Sequence, residues 1–207
     1  MIVPEPLPEG VRHAGSADLD TLARIFADAF SDDPFNLWMT AGSVGAIEGG
    51  FRAILRGGYV RRGQCFLAGD GGMDGGAAAW IDSADIQPMS GGATLRWALA
   101  MLRHFRPGAI RRGMATGEAM AAAHPEERHL YLFLVGTALR ARGHGLGKKL
   151  MQPMLAACDR EGLPCYLESS DPANFGFYHA HGFEFYGEPL IVNGVSPPLT
   201  PMWRAPR

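Results

Sequence analysis

The residues best suited to chemistry lie in the last third of the chain. Arg142-Gly-His-Gly-Leu-Gly147-Lys148 sets three glycines into five residues, between an apolar run and a helical pattern. Glycine allows close backbone approach and positive φ, and successive N–H groups at a helix start form an anion cradle. Each charge-assisted bond contributes about 1.5–3 kcal/mol against about 0.3–1 kcal/mol for the helix dipole, so the N–H array decides affinity. A pyrophosphate is the natural ligand. A P-loop would need Gly at 142 and Ser or Thr at 149, where the chain has Arg142 and Lys149. The dinucleotide fingerprint needs Gly-x-Gly-x-x-Gly, and Gly143, Gly145 and Gly147 do not supply it. The pattern that fits is Arg-x-x-Gly-x-Gly. His179 and His181 suggest a metal, but residues two apart on a helix face different ways and no Cys or carboxylate completes a ligand set. No metal is expected.

The elements that must position this loop follow from hydrophobic spacing. His129 to Val135 is a continuous apolar and aromatic run, suited to a strand buried on both faces. Leu146, Leu150, Met154, Leu155 and Cys158 recur at helical spacing up to Gly162, with Pro153 predicting a kink. A strand at Cys165–Glu168, a helix from Asn174 to His181, a turn at Gly182 and a strand from Phe183 to Tyr186 complete a βαβ-type unit. Its strands at 130–135 and 165–168 are expected to be parallel neighbours. Upstream, Leu19 to Phe30 reads as a helix capped by Ser16 or Asp18 and stopped at Ser31-Asp-Asp-Pro34. Phe35 to Met39 is a second apolar stretch, and Val44 to Val60 is helical. Gln64–Ala68 and Ala77–Ile81 predict an antiparallel pair turned at Asp70-Gly71-Gly72. Leu95 to Phe105 suggests a helix ended by Pro107-Gly108, and Ala115 to Ala123 another; neither carries the chemistry of a site.

Composition narrows the class. The chain has 207 residues, 47% hydrophobic and 19% charged, with a net charge of −2 and no long basic run, so nucleic acid is not the default partner. A single domain over 1–207 is expected, with residues 1–10 a mobile arm. Three cysteines, Cys65, Cys158 and Cys165, predict free buried thiols. No apolar stretch is long enough for a bilayer and the N-terminus lacks a signal-peptide pattern, so a cytoplasmic location is expected.

Val135-Gly-Thr137, Arg142 to Lys148, Leu167-Glu-Ser-Ser, Asn174, Phe177-Tyr178 and His181-Gly-Phe183 together resemble the GNAT superfamily of acetyl-CoA-dependent N-acetyltransferases, over about residues 129–187. Ala29-Phe-Ser-Asp-Asp-Pro34 and Ala79-Trp-Ile81 are similar to the puromycin N-acetyltransferase-like branch. The resemblance implies an α/β fold with a mixed sheet flanked by helices, two central parallel strands splayed apart, and the cofactor arm in the gap. It implies cofactor contacts from Val135, Gly136 and Thr137, a pyrophosphate on Arg142, Gly143, His144, Gly145, Leu146, Gly147 and Lys148, an arm contact from Asn174, and Tyr178 as general acid. Leu139 stands where the family often has Pro, and Tyr131 where some members carry a catalytic Glu.

An alkyl amine has a pKa near 10.4, so freeing its lone pair at pH 7 costs about 4–5 kcal/mol and a base must help. Glu168, His129 and the pair Asp32–Asp33 are the candidates: Glu168 ends a strand beside the implied gap, where burial would raise its pKa, and His129 titrates near neutrality unaided. Full proton transfer from Tyr178 to a departing thiolate is uphill by about 2 kcal/mol, whereas a hydrogen bond to the sulfur is not. The N–H of Val135 would polarise the thioester carbonyl. The expected acceptor is a primary amine on a small molecule. Protein or peptide acetylation and a non-catalytic coenzyme A-binding module are the alternatives. The acceptor wall is expected from the first 60 residues, the 83–127 stretch and the C-terminal tail, with Phe35, Trp38 and Met39 either lining it or forming plain core.

Overall fold

The computed structural model describes residues 4, 6–69, 75–104 and 107–207, with nothing described of the Pro107 side chain. The strands are β1 (Val11–Ala14), β2 (Gln64–Ala68), β3 (Gly76–Asp82), β4 (Leu130–Thr137), β5 (Cys165–Ser169), β6 (Glu184–Phe185) and β7 (Thr200–Arg204). The helices are α1 (Leu19–Ala29), α2 (Pro34–Thr40), α3 (Val44–Ile54), α4 (Val60–Arg62), α5 (Gly91–Arg103), α6 (Pro107–Ala123), α7 (Leu146–Glu161) and α8 (Phe175–Ala180). A wide helical turn, Leu55–Tyr59, joins α3 to α4. The strands form one mixed sheet of seven in the order β1-β2-β3-β4-β5-β7-β6. Its neighbours pair antiparallel except β4 and β5, which are parallel as expected.

Side chains of β2 and β3 alternate between two cores, as the pleat requires. Phe66, Ala78 and Trp80 meet Leu150, Met151 and Met154 of α7 on one face. Cys65, Leu67, Ala77 and Ala79 meet Leu22, Ile25 and Phe26 of α1 and Ile47 and Phe51 of α3 on the other. β4 breaks the alternation. Leu134 lies opposite Ala79 and Leu132 opposite Trp80, so Phe133 is an extra residue on β4. Leu130 and Leu132 belong to the α7 core, whereas Leu134 belongs to the α1 core. A bulge of this kind bends its strand and increases the local twist. The consequence is visible beside it: β4 and β5 pair only at Leu130↔Cys165 and Tyr131↔Tyr166, then part.

Several boundaries differ from the sequence reading. β1 and β7 were not anticipated: β1 is four residues long, and Pro201 inside β7 argues against a strand. Pro107 opens α6 instead of merely closing the helix before it, because the first turn of a helix has no use for the missing N–H. α7 runs through the buried Pro153. The expected strand at 183–186 shortens to Glu184–Phe185, and the expected turn at Asp70-Gly71-Gly72 lies outside the described residues, as do residues 1–3 and 5 of the expected arm. Leu7 packs against the α7-side core. The three cysteines are free and buried. Among the described residues no helix is long and apolar enough to cross a membrane.

α1 lies on β4 so closely that a Cβ added at Gly136 would come within 2.7 Å of Ala29 Cβ. Gly136→Ala is expected to lower stability by about 1–3 kcal/mol through overpacking, read as a lower urea midpoint at unchanged slope. An unchanged midpoint would contradict the close approach.

Candidate active site

The parting of β4 and β5 opens into a cavity of about 1370 Å³, larger than the roughly 300–1,000 Å³ usual for one small ligand. From Leu132 onward the β4 edge that faces β5 has no ladder partner, so Val135, Gly136 and Thr137 line the cavity with main chain unpaired on that side.

The phosphate loop stands at one end. Gly143 and Gly145 have φ of +84° and +73°, conformations that favour glycine. A Cβ at either position would meet nothing within 4 Å, so the space above the loop is open. Gly145 caps α7 from this left-handed conformation without any side-chain cap. The first N–H groups of a 16-residue helix are thus left for an external anion. Gly147 has a different duty: a Cβ there would come within 3.2 Å of the Phe177 ring. Gly143, Gly145, Leu146, Gly147, Lys148 and Asn174 line the cavity; His144 does not, its Nδ1 lying 3.3 Å from the Ala141 carbonyl. Arg142 lines the cavity too, but its guanidinium is already engaged. It donates to both carboxylate oxygens of Asp32 at 2.8 and 2.9 Å and to the Ala29 carbonyl at 2.9 Å. Asp28 accepts the Leu139 N–H at 2.7 Å. Arg142 therefore ties the loop to the end of α1.

The candidates for the base separate cleanly. The hydrogen bond from Arg142 holds Asp32 below the usual carboxylate range. Burial raises Asp33, but its oxygens accept from Ser170 Oγ and from the N–H and side-chain amide of Asn36, so it serves as the cap of α2. His129 is fully buried and does not line the cavity. Its Nδ1 lies 2.6 Å from the Glu127 carbonyl, which can only accept, so that nitrogen carries the proton. Burial lowers its pKa, and in the neutral ring Nε2 then accepts from His124 Nε2 at 3.0 Å. His129 is thus a positioning group behind His124, a cavity residue the sequence reading missed. Burial, with His129 adding, lowers His124 to about 4, so it is neutral near pH 7 and its Nδ1 holds a lone pair.

Glu168 remains. It stands two residues beyond Tyr166 on β5, hence on the face that carries Tyr166 beside Tyr131, and it lines the cavity. Tyr131 donates to Oε2 at 2.6 Å, while Oε1 is buried without a hydrogen-bond partner among the described residues. Burial lifts Glu168 from 4.5 to about 7, with the hydroxyl of Tyr131 and then that of the neighbouring Tyr166 partly opposing. The carboxylate absent at position 131 thus reaches the same place from β5. Tyr178 also lines the cavity, and its hydroxyl makes no hydrogen bond among the described residues. Burial and then the charge of Asp33 raise its pKa, so it keeps its proton at neutral pH.

The far side of the cavity includes the 83–127 stretch: α5 contributes Trp97, and α6 contributes Met114 and Met120. Phe35 and Met39 also line the cavity, whereas Trp38 does not and lies under Arg112 at 5.7 Å. Among the described residues no group of His, Cys, Asp and Glu could hold a metal.

Residues 114–204 match the family model of the acetyltransferase (GNAT) domain. An uncharacterized N-acetyltransferase of Schizosaccharomyces pombe is 40% identical over 60 residues, 29% of this chain. That match spans only about a quarter, 24%, of the yeast protein's length. A Corynebacterium glutamicum structure described as histone acetyltransferase HPA2 and related acetyltransferase superposes with a TM-score of 0.68 over 95% of this chain and 96% of that one, at 24% identity. The PaiA N-acetyltransferase of Thermoplasma acidophilum, solved with coenzyme A, gives 0.51 over 94% and 98%, at 14% identity. Residues 114–204, a little under half of the chain, thus resemble a GNAT acetyltransferase domain, and the fold is shared with structures described as acetyltransferases.

Glu168 links the site to pH. Between about pH 4.5 and 7 the folded carboxyl holds a proton that the unfolded one releases. Its contribution to stability is therefore complete below about pH 4.5 and lost as pH rises toward 7. Glu168→Gln removes this dependence. The variant's urea midpoint should gain on that of the parent between pH 5 and 8, and a constant difference would contradict the raised pKa.

Proposed function

We propose that the chain transfers the acetyl group of acetyl-CoA to a primary amine of a small molecule by direct attack of the amine on the thioester. The observation that carries this reading is the buried, unpartnered Oε1 of Glu168 in the gap between β4 and β5. The N–H groups opening α7 and Lys148 would hold the pyrophosphate, and the open edge of β4 at Val135, Gly136 and Thr137 would pair with the amide-bearing arm, as an added strand does. Acetyl-CoA supplies the acyl group in activated form. Glu168 accepts the proton of the incoming ammonium. A base near pKa 7 serves well at neutral pH, being ionised in a large fraction of molecules yet basic enough to take the proton. The Val135 N–H faces the carbonyl oxygen as a single donor, and Tyr178, protonated and free of other partners, donates to the departing sulfur.

The size of the cavity supports a small acceptor beside the cofactor arm. The coenzyme A complex of the Thermoplasma relative supports the assignment of the cosubstrate.

Calorimetry with acetyl-CoA, followed by free-thiol release across a panel of amines, tests the reading. Binding in the micromolar range and thiol release with at least one amine are expected; no binding at millimolar acetyl-CoA would contradict it. Tyr178→Phe should lower kcat about 10²-fold at unchanged KM. Glu168→Gln should lower kcat/KM about 10²–10⁴-fold and abolish an inflection near pH 7 in its pH profile. An unaltered profile would remove Glu168 from the role of base.

A further inference from the structure

The charges and surfaces of the cavity are unevenly divided. Among its described lining residues the only Lys and Arg side chains are Arg142 and Lys148, both on the phosphate loop. From Thr137, which borders that loop, to Tyr131, which bonds Glu168, the strand runs about 20 Å at 3.3 Å per residue. Among the described residues, then, no Lys or Arg side chain lines the Glu168 end, although the charge of Arg62 acts on Tyr59 from behind the wall. His124, whose ring meets Tyr131 edge-on at this end, is neutral at pH 7. Its Nε2–H is spent on His129 and it offers the cavity a lone pair. The lining also holds the carboxylates of Asp32, Asp33, Glu118 and Asp171.

The walls of this end are apolar. Phe133, displaced by the bulge, stacks on Tyr59 with ring centroids 4.3 Å apart. Met120 packs against the Tyr131–Tyr166 pair, and Ile54 and Trp97 close the side formed by α3 and α5.

We propose that the acceptor end selects primary amines borne on a bulky apolar body and rejects those with a carboxylate beside the amine. The inference rests on Glu168 receiving the ammonium, as proposed above. A carboxylate on the neighbouring carbon would then sit within a few ångströms of Glu168 and a histidine lone pair. No described lining residue at that end is a Lys or Arg that could pair it, and an unpaired buried carboxylate is strongly disfavoured. A small polar amine would leave the Phe133–Tyr59 stack and Met120 facing water and gain little from burial.

Matched pairs test this: tyramine against tyrosine and tryptamine against tryptophan, with ethanolamine as the amine lacking an apolar body. Two readouts are used, thiol release with acetyl-CoA and calorimetric binding of each amine to the coenzyme A-bound protein. Tyramine and tryptamine should exceed their amino acids by about 10²–10³-fold in kcat/KM and bind where the amino acids do not. Ethanolamine should fall at least about tenfold below tyramine. Met120→Arg, which sets a guanidinium beside Tyr131, should narrow the tyramine-to-tyrosine ratio about tenfold or more. Equal use of tyramine and tyrosine, or of tyramine and ethanolamine, overturns the inference and leaves the acetyltransferase reading intact. Absence of thiol release with every amine, despite tight coenzyme A binding, overturns both.

Discussion

The structure turns on one extra residue. With Phe133 unpaired, β4 cannot stay in register with β3 on one side and parallel to β5 on the other. It keeps β3, through pairs that reach Thr137, and gives up β5 after Tyr131. A continuous parallel ladder would satisfy the β4 edge and leave no gap. The bulge leaves that edge open, exchanges which core Leu134 enters, and aims Phe133 at Tyr59. Cavity, open main chain and acceptor wall all descend from this local irregularity.

Around the gap, tasks are divided by charge. Acidic groups at the end of α1 hold the loop from behind, Asp32 on Arg142 and Asp28 on the Leu139 N–H, so the glycines keep their N–H groups for a ligand. At the opposite end, burial does what a neighbouring charge does elsewhere. It raises Glu168 toward neutrality and keeps His124 uncharged. The length of β4 holds this end apart from Arg142 and Lys148.

Much of this was legible in the sequence. The period-3.6 run from Leu146 to Cys158 gave the helix bounds, and the apolar run at 130–135 gave the central strand, because both signals are long and uninterrupted. The glycine spacing in 143–147 pointed to positive φ, and Gly143 and Gly145 adopt it. What escaped was non-local. Nothing in Leu-Phe-Leu marks a bulge, since every residue there is apolar on either face. His124 lies outside any periodic segment, and its role depends on His129 meeting it in space. The tie between Arg142 and Asp32 could not be read either, since the two lie 110 residues apart. Pro201 concealed a strand that a local reading has to refuse, and the 83–127 stretch could be named as lining but not residue by residue, because a wall of Trp and Met carries no motif.

Hydrogen exchange of the β4 amides, with and without coenzyme A, tests the central claim most directly. If the bulge leaves the β5-facing edge of this strand open for the ligand, coenzyme A should slow exchange within 132–137 and at 143–148 together. Protection confined to 143–148, with β4 unchanged at saturating ligand, would show that the loop holds the phosphates without the strand receiving the arm, and would contradict the account.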